Sequence, residues 1–331
     1  MLSARIRSIG SSFPKSVLTR DEVVKAGTET GNLKDNFGEV LYQIPERRHV
    51  GILGETAVSL GTGALMDAMI RGRVGAAEID WVMVNSNFSD AESPHDAVSI
   101  ADNCGILAPG LDINDNCNSF LSGLPIVTSL LERGVYRMVA FVCSAAWYRG
   151  IRPGTDSGPL ADGAVAVIFE AADVPTPFID CRRSLVDRRF KDLVSMKLSV
   201  LNGRVNYLQN RRIAGFPEFI MTEAPAAVLG FIKDNGLTPE GIDWFFPHQP
   251  AHNAAHRWCR QLGFPPEKMV ETFNEIGNIT SAVIPYNIMR AVLSGGFASG
   301  SRALLLSLGG GFVLNAAVCN LHVADDFISN G

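Results

Sequence analysis

The sequence predicts an α/β protein made of two duplicated halves, each a mainly parallel β-sheet covered by helices. Amphipathic stretches typical of helices alternate with short apolar stretches typical of buried strands. The triplet Ile-Asp-Trp occurs twice, with its tryptophans at Trp81 and Trp244, about half the chain apart. Spacing after the two triplets also agrees, since Arg137 follows Trp81 by 56 residues and Arg302 follows Trp244 by 58. These matches indicate two copies of one α/β unit packed about a pseudo-twofold axis.

Each half follows the same order of elements, and the boundary between the halves is placed near Ala171. In the first half, residues 1–171, we expect a helix at 56–71 and strands at 79–84, 138–142 and 164–169. In the second half, residues 172–331, we expect a helix at 222–235 and strands at 242–246 and 303–308. Since the strands are mainly parallel, their connections should be right-handed.

Composition and charge exclude several classes of protein. The 331 residues are 47% hydrophobic and 19% charged, with a formal net charge of −5 and no run of Lys or Arg, so nucleic acid is not an expected partner. No apolar stretch approaches 18 residues and the first residues lack the pattern of a signal peptide, which makes a cytoplasmic location the expectation and a membrane association not expected. The six cysteines form no CxxC pair, and five are expected to be reduced structural thiols: Cys104, Cys143, Cys181, Cys259 and Cys319.

Cys117 differs from the other cysteines because it lies between a polar turn and an apolar helical stretch. We expect Asp115 or Asn116 to cap this helix, so that Cys117 lies in the first turn, where the helix dipole favours the thiolate. The alternative is a small buried hydrophobic residue, which is the common role of a free cysteine.

Two polar residues of the second half are expected near Cys117. His248 directly follows the strand at 242–246, and Asn278 follows Trp244 by 34 residues, as Cys117 follows Trp81 by 36. Loops at equivalent strand ends should meet at the interface between the halves, so a thiol, an imidazole and a carboxamide are predicted to converge. For Asn278 alone, a turn residue before a helix is the alternative interpretation.

The turn Gly309-Gly310-Gly311 follows another strand and lets backbone amides approach a ligand closely, as in an oxyanion hole. Two other motifs are rejected. His248, His252 and His256 have a spacing suited to metal ligands on one helix, but Pro250 indicates that His248 precedes the helix, leaving only His252 and His256 on one face. No metal is therefore expected. The pair Gly61 and Gly63 lies inside the first predicted helix, so it is not a dinucleotide-binding motif.

Six segments resemble, in order, the motifs of the ketoacyl-ACP synthase III family, which has the thiolase fold. They are Ile44-Pro45-Glu46-Arg47-Arg48, Asn116-Cys117-Asn118-Ser119-Phe120, Asp162-Gly163-Ala164, Pro247-His248-Gln249, Gly277-Asn278-Ile279-Thr280-Ser281-Ala282 and Gly309-Gly310-Gly311-Phe312. The resemblance extends from about residue 5 to 322. It implies a layered αβαβα arrangement with five-stranded sheets, and a homodimer.

The resemblance also implies a catalytic triad of Cys117, His248 and Asn278. Cys117 would accept an acyl group from a CoA or acyl-carrier-protein thioester, and His248 and Asn278 would stabilise the enolate formed by decarboxylation of a malonyl thioester. The backbone amides of Cys117 and Gly309 would form the oxyanion hole, with Gly310 and Gly311 lining the substrate site. No cofactor is implied beyond the thioester substrates.

Three departures from the family pattern affect the expected substrate. Val23 replaces the tryptophan that stacks on the adenine of CoA, although Arg149 matches the arginine on the other side of the adenine. The missing tryptophan favours a carrier-protein donor. Asn253 replaces an arginine that attracts the acidic carrier protein, and Arg257 and Arg260 are the candidate substitutes. The loop 87–96 is more polar than its family equivalent, which implies an altered acyl pocket.

Three functions therefore stay open at this point. The first is a decarboxylative condensing enzyme of fatty-acid or polyketide-like metabolism, which the complete triad favours. The second is an acyltransferase that passes the Cys117-bound acyl group to a hydroxyl, an amine or a second acyl chain. The third is a non-catalytic scaffold that binds carrier protein, which has no need of a matched Cys, His and Asn.

Overall fold

The computed structural model describes residues 2–29, 45–150, 159–198, 205–210 and 213–329. Its strands are β1 (Leu2–Ser12), β2 (Val17–Thr19), β3 (Arg47–His49), β4 (Trp81–Asn87), β5 (Gly110–Asp112), β6 (Met138–Ala145), β7 (Gly163–Asp173), β8 (Ile179–Val186), β9 (Val194–Leu198), β10 (Val205–Asn210), β11 (Trp244–Pro247), β12 (Ser301–Gly309) and β13 (Val313–Leu321). Its α-helices are α1 (Arg20–Glu29), α2 (Ala57–Gly72), α3 (Asp96–Asn103), α4 (Ser119–Glu132), α5 (Phe216–Glu218), α6 (Ala224–Asp234), α7 (Ala254–Gln261), α8 (Phe273–Ile276), α9 (Val283–Leu293) and α10 (Asp325–Ser329).

The two main sheets have the same strand order and the same strand directions. The first has the order β1-β7-β6-β4-β5, in which β4 is parallel to β5 and β6, and β7 is antiparallel to β6 and β1. The second has the order β8-β13-β12-β11, in which β11 is parallel to β12, and β13 is antiparallel to β12 and β8. A parallel bridge from Phe245 to Met269 occupies the position beside β11 that β5 occupies beside β4.

The strand directions correct the expectation of two mainly parallel, five-stranded sheets. Antiparallel neighbours equal parallel ones in the first sheet and outnumber them in the second, which has four strands among the described residues. The reason is local in the second sheet, because only three residues, 310–312, join β12 to β13. So short a connection permits an antiparallel pair alone, whereas a parallel pair needs a long crossover.

Three hydrophobic clusters order the helices and sheets into five layers. One cluster joins both sheets through the central helices α4 and α9, and includes Phe120, Phe141, Ile284 and Leu305. A second packs α2 and α3 on the outer face of the first sheet. A third packs α6 and α7 on the outer face of the second sheet. The layering is thus α, β, α, β, α, with the largest apolar cluster shared by both sheets.

Several predicted elements agree closely with the structure. The helix expected at 56–71 is α2, for which Thr56 forms a capping box with Ser59, so the first turn is stabilised by reciprocal hydrogen bonds. The helix expected at 222–235 is α6, preceded by a π-helical turn, Phe219–Glu223. The boundary placed at residue 171 lies inside β7, and the division into halves 1–171 and 172–331 stays a prediction.

Candidate active site

Cys117 is the middle residue of a 3-10 turn, Asn116–Asn118, which directly precedes α4. Neither Asp115 nor Asn116 caps the helix through its side chain, so that prediction is wrong. Instead the Ser119 hydroxyl accepts a hydrogen bond from Asp115 N and donates one to Asn116 O, both at 2.8 Å. Asn116 has a φ of 50°, which reverses the chain just before the cysteine.

The expectation that the helix dipole favours a Cys117 thiolate is also wrong. Although part of the residue is exposed, burial of the thiol raises the pKa of Cys117 to about 12. A hydrogen bond from its own backbone opposes this effect, and the Asp115 carboxylate adds to it. Removal of the thiol from water is the largest of these effects, and α4 begins two residues later. At neutral pH the free protein therefore carries a protonated thiol here.

His248 directly follows β11 and is buried. Its backbone N–H donates to Leu306 O on β12 at 2.7 Å, which fixes it beside the neighbouring strand. Burial lowers the pKa of His248 to about 4, against the opposing effect of the Thr280 backbone, so the ring is neutral at pH 7. Among the residues that the structure describes, no hydrogen-bond partner of normal geometry is found for Nδ1.

The other two histidines do not form the expected pair on one helical face. Because α7 begins at Ala254, His248 precedes the helix, as Pro250 predicted, but His252 precedes it too. His252 Nδ1 lies 3.2 Å from Asn274 Oδ1, whereas His256 is exposed on α7. In the described part of the chain, no group of three or more His, Cys, Asp or Glu side chains is arranged to hold a metal ion.

Asn278 is buried and is held by the first half of the chain. Its N–H donates to Pro159 O at 2.8 Å, and its carbonyl accepts from Ala161 N at 3.0 Å. Its side-chain Oδ1 accepts from Thr280 N at 2.8 Å, a turn of the kind proposed as the alternative role for this residue. That bond uses only the oxygen, so the Nδ2 group is the part of the amide left for a ligand.

The structure brings Cys117, His248 and Asn278 to one end of the two sheets. Two successive residues of β12 make the connection, since Leu306 accepts from His248 N and Ser307 Oγ donates to Cys117 O at 2.8 Å. The cysteine turn also packs against the turn Thr280–Ala282, which follows Asn278. A thiol, a neutral imidazole and a carboxamide therefore lie in one region.

The glycine turn lies beside the cysteine turn. Gly309 ends β12, and a Cβ at Gly309 would overlap the Asn118 amide, while one at Gly310 would lie 2.8 Å from Asn116 Nδ2. Gly311 has a φ of 68°, a conformation that glycine adopts without strain, and its carbonyl accepts from Arg188 Nη1 at 3.0 Å. Backbone amides of this turn thus lie next to the loop of Cys117.

The other residues predicted to bear on substrate or carrier-protein binding are Arg149, Val23, Arg257 and Arg260. Arg149 is exposed and forms an ion pair with Asp90 of the polar loop 87–96. Val23 is buried in the protein and offers no surface for stacking. Arg257 and Arg260 lie on α7, Arg260 is exposed, and neither makes an ion pair within the described residues.

The sequence did not single out the hydrogen bonds that join the halves behind the site. Thr280 Oγ1 donates to Asn87 Oδ1 at 2.7 Å and Ser281 Oγ donates to Asn85 Oδ1 at 2.5 Å, all within the protein interior. These asparagines end β4, so polar residues in an otherwise apolar strand were the available signal.

Asp162, part of a quoted motif, is a buried carboxylate near Arg48. It accepts from Gly51 N at 2.7 Å and Tyr148 N at 3.1 Å. Burial raises the pKa of Asp162 to about 6, although these N–H donors and the Arg48 charge favour its ionised form. Arg48 in turn donates to Leu160 O at 2.8 Å, next to the segment that binds Asn278.

No helix in the described ranges is long and apolar enough to cross a membrane.

Residues 232–321 match the family described as 3-Oxoacyl-[acyl-carrier-protein (ACP)] synthase III C terminal. The chain is 28% identical over 327 residues to a beta-ketoacyl-[acyl-carrier-protein] synthase III from Hyphomonas neptunium, covering 96% of this chain and 98% of the relative.

Two solved structures share the fold. The priming β-ketosynthase of the R1128 polyketide biosynthetic pathway is 24% identical, with a TM-score of 0.82 and 96% of each chain covered. Xanthomonas campestris OleA, solved with lauric acid and lauroyl-CoA, is 20% identical, with a TM-score of 0.78 and 96% and 98% of the two chains covered. At these identities, the likeness concerns the fold alone.

Fold and sequence together define a thiolase-fold protein of the acyl-transferring condensing type. Over nearly its whole length the chain is similar to ketoacyl-ACP synthase III proteins, which confirms the predicted resemblance.

Proposed function

We propose that Cys117 accepts an acyl group from an acyl-carrier-protein or CoA thioester and then condenses it with a malonyl-type thioester to give a β-ketoacyl product. The pathway would be fatty-acid synthesis or a specialised, polyketide-like one. The observation that carries the proposal is a pair of hydrogen bonds to successive residues of β12. His248 N donates to Leu306 O, and Ser307 Oγ donates to Cys117 O, next to the turn that follows Asn278.

The first step is exchange of one thioester for another. The Cys117 sulfur attacks the acyl carbonyl carbon, the bond to the donor sulfur breaks, and the thiol proton leaves on the released CoA or carrier thiol. Because the pKa of Cys117 is raised to about 12 and that of His248 is lowered to about 4, a stable thiolate and imidazolium pair is not expected in the free protein. The proton is therefore lost as the sulfur attacks.

The second step forms the carbon–carbon bond. The malonyl thioester loses CO2, and the negative charge left on its thioester oxygen is stabilised by the neutral His248 ring and Asn278 Nδ2. The carbanion attacks the acyl carbon, and the Cys117 sulfur leaves as a thiolate and takes a proton from water. The amides of Cys117 and Gly309 hold the oxyanion of the tetrahedral intermediate, where loss of one such donor costs about 3 kcal/mol.

Of these two donors, the structure favours a carrier-protein thioester. Val23 is buried, and Arg149 is engaged by Asp90, so neither offers the adenine platform. Arg257 and Arg260 supply positive charge for an acidic carrier protein. A cytoplasmic homodimer without a cofactor completes the proposal, and sedimentation at micromolar concentration tests the dimer.

The experiment measures acylation and condensation separately. The protein is incubated with acyl-carrier-protein and CoA thioesters, with and without malonyl thioester, and the mass of the Cys117 peptide and the products are followed. We expect an acyl adduct on Cys117 and, with malonyl thioester, CO2 and a ketoacyl product. Cys117→Ala should lose the adduct, while Cys104→Ala, which changes another partly exposed thiol, should keep it.

Each alternative has its own outcome in this experiment. If Cys117→Ala is labelled as strongly as the parent, the nucleophile is wrongly assigned. If an acyl-enzyme forms but malonyl thioester gives no CO2, acyl transfer to a hydroxyl, an amine or a second chain replaces condensation. A carrier protein that binds without any acylation would indicate the scaffold.

A further inference from the structure

Asn118, the residue after Cys117, is completely buried and reaches the glycine turn. Its Nδ2 donates to Val313 O at 2.8 Å. Val313 pairs with Gly309 across the hairpin of β12 and β13. The side chain of Asn118 thus connects the cysteine turn to the base of the glycine turn.

Gly309 packs directly on this side chain. A Cβ at Gly309 would overlap both Nδ2 and Cγ of Asn118, so glycine is required there for space. Its φ lies outside the left-handed region, unlike that of Gly311, so backbone conformation does not explain it. The close approach leaves no freedom for one turn to shift along the other without moving Asn118.

Two further contacts join the same turns. Ser307 Oγ donates to Cys117 O at 2.8 Å, which fixes the carbonyl of the nucleophile to β12. Asn116, on the other side of Cys117, places its Nδ2 over Gly310. The residues on both sides of the cysteine therefore contact successive glycines of the turn, with Asn118 as the buried member.

We propose that Asn118 is a positioning residue that sets the distance between the backbone amides of Cys117 and Gly309, and so completes the oxyanion hole for a thioester carbonyl. The inference rests on the proposed function. Oxyanion donors act only within about 2.7–3.1 Å of the developing charge, so a small displacement of one amide removes much of its effect. Asn118 contacts neither substrate nor reacting atoms, and acts through the two turns.

The test compares two reactions of the same sulfur. Acylation of Cys117 by a carrier-protein thioester needs the oxyanion hole, whereas alkylation by iodoacetamide does not. We expect Asn118→Ala to lower the acylation rate by about 10- to 100-fold and to change the alkylation rate by less than about twofold. A merely structural role would lower both rates together, and unchanged acylation would also overturn the proposal.

Asn320→Ala is the matched control. Asn320 is also a buried asparagine, on the same strand as Val313, and its Nδ2 donates to a backbone carbonyl, Pro177 O, at 2.9 Å. Asn320→Ala should remove a similar hydrogen bond without changing the rate of acylation or of alkylation at Cys117. Hydrogen exchange of amides 309–313 should rise in Asn118→Ala and stay unchanged in Asn320→Ala. This readout applies even if the parent is not acylated, which would refute the proposed function alone.

A double-substitution cycle tests the contact itself. Gly309→Ala should slow acylation strongly in the parent, because the added methyl group displaces the Asn118 amide. In the Asn118→Ala background that overlap is absent, so the further loss should be smaller. Equal losses in both backgrounds would show that the two residues act independently. If Asn118→Ala does not fold, Ser307→Ala removes the second connection and should also slow acylation more than alkylation.

Discussion

At the scale of single residues, removal from water sets the charge state of the thiol and the imidazole of the site. Cys117 precedes α4 by two residues, and its carbonyl oxygen accepts a hydrogen bond from Ser307 Oγ. His248 is buried beside β12 and stays neutral. Both groups are therefore uncharged at neutral pH in the free protein.

This predicts the pH dependence of thiol alkylation in the free protein. The thiolate is the reactive form, and a pKa of about 12 leaves little of it at neutral pH, so the rate at Cys117 should rise about tenfold per pH unit between about pH 7 and pH 10. Peptide mass spectrometry after iodoacetamide treatment measures it. A plateau beginning near pH 7, the sign of a thiolate and imidazolium pair, would contradict the prediction.

At the scale of elements, an aspartate before the first strand of each parallel pair fixes the register of that pair. Asp80 Oδ2 accepts from Arg137 N at 2.7 Å and from Met138 N at 2.9 Å, which joins β4 to β6. Asp243 Oδ2 accepts from Arg302 N at 2.8 Å, which joins β11 to β12. The repeated Ile-Asp-Trp triplet thus has a structural reason, because its carboxylate satisfies strand N–H groups in both halves.

We expect Asp80→Ala to lower the free energy of unfolding by about 1–3 kcal/mol, because two backbone N–H groups lose a charged acceptor. Asp243→Ala, which removes one such bond, should cost less. Urea denaturation measures both. Glu92→Ala, which changes an exposed loop carboxylate, is the control and should stay within about 0.5 kcal/mol of the parent. Equal stability of Asp80→Ala and this control would contradict the interpretation.

At the scale of the whole molecule, the two halves share one apolar cluster and a set of buried polar contacts. The central cluster takes residues from both sheets and from α4 and α9. Hydrogen bonds from Thr280 to Asn87 and from Ser281 to Asn85 cross between the halves. Neither half can expose its inner face without exposing that of the other.

The molecule should therefore unfold in one transition. Labelling with 5-fluorotryptophan gives separate signals for Trp81 and Trp147 in the first half and for Trp244 and Trp258 in the second. During urea denaturation all four native signals should disappear with one midpoint, together with the helical circular dichroism. Survival of one pair after loss of the other would show that the halves unfold separately.

Much of this arrangement was predictable from local patterns. The helix at 56–71, the strands at the two Ile-Asp-Trp triplets and the glycine turn follow from residue type and spacing. Cys117, His248 and Asn278 were found because they occupy the ends of corresponding strands, and the motif resemblance joined them in one site.

The sequence by itself determined the repeated alternation of helix and strand, the six motifs and the candidate site residues, because these depend on periodicity, residue type and spacing. Only the tertiary structure decided the strand directions, the raised pKa of Cys117, the ion pair that engages Arg149 and the packing of Asn118 on Gly309. Those properties depend on burial and on contacts between residues far apart in the chain, which no local pattern encodes.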